Sequence, residues 1–91
     1  MKVPFIPCLY KNTIVCYSYS KSLSLPGERI GYVYVPGFAD DSHDVYAAIS
    51  GAARIMGHVC PPTLMQKVIE LCAEERPDLV AYDENRNLLY N

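Results

Sequence analysis

No stretch of this chain approaches the roughly 20 consecutive apolar residues of a membrane-spanning helix. The formal net charge is only −2, too little to bring it to nucleic acid or to an anionic membrane. The block after Met1 and Lys2 is interrupted by Pro4 and Pro7, so it lacks the uninterrupted apolar core of a secretory signal. Internal repeats, low-complexity tracts and linkers are also missing. Cysteine is present at Cys8, Cys16, Cys60 and Cys72, but no Cys-x-x-Cys occurs. His43 and His58 form no ligand pattern with these thiols, so no metal site is expected. These absences leave a cytoplasmic chain whose cysteines serve as small, reduced, apolar residues, with neither nucleic acid nor membrane as partner.

The 91 residues, 51% apolar and 20% charged, allow one small globular unit of marginal stability. Residues 1–10 hold two prolines and read as an extended lead-in, followed by a turn at Lys11-Asn12. Residues 13–18 and 30–35 are apolar or aromatic on both faces, as strands inside an α/β sheet are. Asp40, Asp41 and Ser42 are cap candidates for a first helix ending at Gly57, with Val45, Ile49, Ala52 and Met56 as its stripe. Pro61-Pro62 opens a second helix to about residue 75, with Leu64, Val68, Leu71 and Cys72 on one stripe and Met65 and Ile69 outside it. A third helix follows Pro77 and carries Leu79, Tyr82, Arg86 and Leu89. The eight tyrosines are scattered and suggest no stacking platform.

The chemistry concentrates between the strands, from Ser18 to Gly31. Lys21 stands at a strand end beside Ser18 and Ser20, and Arg29 follows eight residues later between Gly27 and Gly31. Hydroxyls and a guanidinium can grip phosphate, the arginine through two parallel hydrogen bonds. Pro26-Gly27 offers a tight turn to bring Arg29 back towards Lys21. An amine that attacks carbonyls, next to a phosphate anchor, describes a pyridoxal phosphate site.

Ser18-Tyr19-Ser20-Lys21, with Gly27, Arg29 and Gly31 at this spacing, resembles the attachment signature of class I/II, fold-type-I, pyridoxal-phosphate-dependent aminotransferases. The likeness continues through Tyr32-Val33-Tyr34, through Cys60-Pro61-Pro62 ahead of a helix, and through residues 82–90, which resemble the start of the family's interdomain helix. The resemblance implies that Lys21 carries the cofactor as a Schiff base, that Ser18 and Arg29 hold its phosphate, and that Ser20 assists. It implies ping-pong transfer of an amino group between an amino acid and a 2-oxo acid, with Lys21 as acid and base.

The expected fold class is therefore α/β: a piece of an aminotransferase large domain, two central strands followed by about three helices. By family order, the acidic clamp on the pyridine nitrogen, the ring-stacking aromatic and the substrate-carboxylate arginine fall outside these residues. Arg54 does not fit cleanly as a substitute and reads as a helix-surface arginine. The 91 residues alone are expected to be inactive and to complete their core by self-association as a homo-oligomer. Another fold-type-I activity, such as a C–S lyase, and a non-catalytic self-associating module are the competing readings.

Overall fold

The computed structural model describes residues 3–90. Two strands, β1 (Val15–Ser18) and β2 (Gly31–Tyr34), are followed by three longer helices, α2 (Ser42–Ile55), α3 (Thr63–Cys72) and α4 (Leu79–Tyr90). A single-turn helix, α1 (Tyr19–Ser22), sits between the strands. The strands pair antiparallel, with Val15 opposite Tyr34 and Ser18 opposite Gly31. The mixed α/β class expected from the sequence is what forms.

The hairpin is where the chain holds itself together. Beyond the ladder, the Tyr19 amide donates to the Ile30 carbonyl at 3.2 Å, which closes the strands above β1. Ile30 is 7% exposed, and Pro7 and Pro36 are also buried. The lead-in is not fully extended: Ile6–Cys8 is a 3-10 turn with Pro7 near its start, a position where the missing N–H costs nothing. Phe5 then reaches the sheet, its ring 6.3 Å from that of Tyr34. Asn12 clasps Asp40, donating from Nδ2 to the carboxylate and accepting the Asp40 amide, both at 3.0 Å. Asp40 is thus committed to Lys11 and Asn12. The helix cap position falls to Asp41, which sits in left-handed backbone (φ 52°) and makes no side-chain cap.

The helices stand away from this unit. Among the described residues only β1 and β2 pack extensively on each other. The radius of gyration is 16.9 Å, against about 12 Å for a compact domain of this length. Two stripes differ from expectation. In α3 the half-buried face is Met65, Val68, Ile69 and Cys72, whereas Leu64 and Leu71 point to solvent. In α2, Val45 and Ile49 are half-buried with Ala53, whereas Ala52 and Met56 are exposed. Both alternatives satisfy helical spacing, and neighbours decide between them. The helix ends agree better with the sequence. Gly57 (φ +83°) terminates α2, its amide donating to Arg54 and that of His58 to Ala53, the reciprocal pair of a Schellman ending. Asp78 caps α4 through the Val80 amide at 2.9 Å.

Candidate functional site

Lys21 lies on α1, not on an open loop. The cause is Ser18, the last residue of β1, whose Oγ accepts the Ser20 amide at 3.2 Å and caps the turn. Ser18 Oγ in turn donates to Ser20 Oγ at 2.9 Å. This leaves the Ser20 hydroxyl proton free to donate outward. Lys21 is exposed, and among the described residues no carboxylate pairs with it. Ser22 Oγ is buried without a partner.

Arg29 occupies left-handed backbone (φ 51°), a conformation costing a bulky residue about 1–2 kcal/mol. Its Nη1 donates to the Pro26 carbonyl at 2.7 Å, so the Pro26-Gly27 turn does fold the guanidinium back. It folds it onto Pro26, however, and not into the Lys21 cavity. Lys21 and Ser20 line a cavity of about 370 Å³ with Pro26, Pro77, Leu79 and Tyr82. Arg29 lines another, of about 390 Å³, with Gly31 and residues 57–62. The two serines and the lysine are brought together, and the arginine stands on the far side of the Pro26 turn.

Three tyrosines gather beside this site, contrary to the scattered reading. Cross-strand pairing sets Tyr17 against Tyr32, with rings stacked at 5.1 Å, and Tyr19 meets Tyr17 edge-on at 5.2 Å. Desolvation, and then the neighbouring Tyr32 and Tyr17 hydroxyls, raise the Tyr19 phenol above its ordinary value. Tyr82, read from the sequence as packing and pairing locally with Arg86 on its helix, instead donates its hydroxyl to Ser24 Oγ at 2.7 Å, 58 residues away. Arg86 does pair locally, with Asp83 at 3.2 Å. The four thiols are free, three of them exposed and Cys72 half-buried. Among the described residues no helix is long and apolar enough to cross a membrane, and no cluster of three His, Cys, Asp or Glu side chains could hold a metal.

By chemistry these residues fit a phosphorylated aldehyde, with Ser20 and Lys21 already at one cavity and Arg29 across the Pro26 turn from them. Ser20 keeps a spare O–H, Arg29 spends one N–H on Pro26 and faces no acid among the described residues, and Lys21 offers an unpaired amine.

Residues 9–89 match the family Aminotransferase class I and II, and this chain belongs to that family. It is also similar to the crystal structure of an amino transferase from Eubacterium rectale, with 59% identity and a TM-score of 0.85. That likeness covers 99% of this chain and 23% of the other, so the chain spans about a quarter of that protein's length. No curated protein matches the chain.

Proposed function

We propose that these residues form the lysine-bearing part of an aminotransferase large domain, with residues 82–90 at the start of its interdomain helix. The reaction would move an amino group from an amino acid to a 2-oxo acid, with pyridoxal phosphate as cofactor, in the cytoplasm. The observation that carries this reading is Lys21 on α1, capped by Ser18 and free of any carboxylate among the described residues. Family membership supports the cofactor, because class I and II aminotransferases in general use pyridoxal phosphate.

When bound, that cofactor supplies an electrophilic aldehyde and a conjugated electron sink. The chain's own part is to hold and to move protons. Ser20, through its spare O–H and oriented by Ser18, would hold the phosphate together with the remaining N–H groups of Arg29 once its side chain turns from Pro26, the guanidinium contributing most because its hydrogen bonds are charge-assisted. Lys21 Nζ would hold the cofactor through its amine and would take up and return a proton at its nitrogen. A C–S lyase would use the same side chains, so the donor set alone does not separate the two reactions. The chain by itself is expected to be inactive.

A second reading, a self-associating module, rests on one further observation. Leu64 (69% exposed), Leu71 (84%) and Leu89 (86%) stand out from the helices, and large apolar surfaces left open mark sites of association. Copies of the chain would cover them as a homo-oligomer, which light scattering would detect.

The deciding experiment adds pyridoxal phosphate, looks for the yellow band, reduces with borohydride and maps the label. Label concentrated on Lys21 and lost in Lys21→Ala is the expected result. Label spread evenly over Lys2, Lys11 and Lys67 would defeat the cofactor reading and leave the module.

A further inference from the structure

The hydrogen bond from Tyr82 Oη to Ser24 Oγ, 2.7 Å long, spans 58 residues of sequence. It joins α4 to the connection that carries Lys21, in a chain whose helices otherwise pack little on the hairpin. Three observations converge on it. Ser24 sits in left-handed backbone (φ 56°) without being glycine or asparagine, a conformation that persists only where surrounding contacts hold it. The turn it belongs to is weakly bonded: the Leu23 and Leu25 amides both reach the Tyr19 carbonyl, at 3.2 and 3.4 Å, and the Ser24 amide reaches that of Lys21 at 3.4 Å. Tyr82 is also a shared wall. It lines the Lys21 cavity, and it lines a second cavity of about 440 Å³ together with Leu23, Ser24, Pro77, Asp78 and Asn85.

We infer that Tyr82 is a positioning residue: its hydroxyl fixes residues 19–25 through Ser24 and so sets where the Lys21 amine stands. This rests on the reading of Lys21 as the cofactor lysine. The physical argument is local. A one-turn helix is too short to be stable alone, and its amine stands on a long flexible stem. Anchoring the turn that follows removes backbone freedom from the segment that must present the amine. Movement of α4 would be felt at Lys21 through the same bond.

The test uses the whole chain, with Tyr82→Phe, Ser24→Ala, the double variant and Ser24→Gly. Two quantities are read: amide exchange over residues 19–25, and the ratio of pyridoxal phosphate label on Lys21 to that on Lys67 after borohydride reduction. Loss of one neutral hydrogen bond predicts exchange about 2- to 10-fold faster in each single variant. The Lys21 to Lys67 ratio should fall by a comparable factor, and the double variant should go no further than either single. Global unfolding would affect both lysines alike, so the ratio isolates positioning. Ser24→Gly loses the hydroxyl but also sheds the left-handed strain, so Tyr82→Phe made on top of it should change exchange no further. Unchanged exchange in Tyr82→Phe, an undiminished effect of Tyr82→Phe in the Ser24→Gly background, or faster exchange with an unchanged label ratio would each overturn the inference. Wild-type label that does not favour Lys21 would instead defeat the cofactor reading, and the exchange data would still decide whether the bond holds the turn.

Discussion

The hairpin and the helices solve the same problem to different degrees. Residues 3–41 are tied to one another by contacts far apart in sequence: β1 pairs with β2, Asn12 clasps Asp40, and Ile30 and Pro36 are buried, although Val3 (79% exposed) and Leu9 (71%) stay open. Residues 42–90 form well-terminated helices whose apolar residues have little to rest on, with Ile55 89% exposed and Leu71 84%. Backbone hydrogen bonds are local in a helix and can be met without neighbours. An amphipathic face cannot. The contrast teaches that secondary structure here is written locally, whereas burial of the apolar faces needs neighbours that residues 42–90 do not supply; the chain spans 23% of the length of a 59% identical relative. The candidate lysine stands on the hairpin side, tied to the helical side by Tyr82.

The largest expected effect comes from breaking the hairpin alone. Gly31 lies opposite Ser18, and a Cβ there would collide with the Tyr17 carbonyl oxygen and come within 3.3 Å of Ser18 Cα. Both obstacles are backbone and cannot swing away. Gly31→Ala should cost about 3 kcal/mol or more by overpacking. Amide exchange in β1 and β2 should approach that of an unfolded chain, while the helical circular dichroism stays. Simultaneous loss of helix would show that the two regions fold as one, and the comparison would fail.

The next effect concerns the cofactor. In the full protein that carries this segment, Arg29→Ala should weaken pyridoxal phosphate retention tens- to hundreds-fold, since a charge-assisted hydrogen bond is worth about 1.5–3 kcal/mol. Ser18→Ala should weaken it less. Arg54→Ala, on the exposed surface of α2, should leave it unchanged. Equal retention in all three after dialysis would remove Arg29 from the phosphate site.

Much of this was legible in the sequence, and the exceptions have physical reasons. The strands, the proline and glycine stops and the family signature could be read because each depends on neighbours along the chain. Lys21's place on a helical turn was hidden, because the cap comes from Ser18, which also ends a strand. The tyrosine cluster was hidden because register, not sequence, brings Tyr17 to Tyr32. The inward face of α3 was misjudged because Leu64 and Leu71 share a stripe as regular as that of Met65 and Ile69. Arg29's separate cavity was hidden because its left-handed φ and its hydrogen bond to the Pro26 carbonyl are not written in the residue types around it.

Within the helical region, Gly51 inside α2 and Gly57 just past its end sharpen the claim that local rules govern there. A Cβ at Gly51 or at Gly57 would meet nothing within 4 Å, but Gly57 has φ +83°. Gly57→Ala should therefore destabilise the end of α2 by about 1–2 kcal/mol through backbone strain alone. Gly51→Ala should stabilise the helix by about 0.5–1 kcal/mol. Opposite shifts in thermal helix melting are the expected result. Destabilisation by both would mean that α2 already rests on a covering surface in solution.

The smallest effect tests the hairpin side by acid. The Asp40 carboxyl is held below its ordinary value, first by the hydrogen bond from Lys11, then by that from Asn12. A carboxylate whose pKa is depressed on folding adds stability above the unfolded value, near 3.9, and loses it as pH falls through the folded one. The contribution is thus complete at neutral pH and disappears below about pH 4. It is also small, because Lys11 and Asp40 side chains are both 58% exposed and salt screens such pairs. Carbon-13 titration of the Asp40 carboxyl should give a midpoint below the usual aspartate value, and Lys11→Met should bring it most of the way back. The Asp40 amide bonded to Asn12 Oδ1 carries no titratable group, so its exchange protection should outlast the carboxylate's titration. If protection and carboxylate are lost together on acidification, the ion pair, and not the Asn12 clasp, is what joins the lead-in to the start of α2.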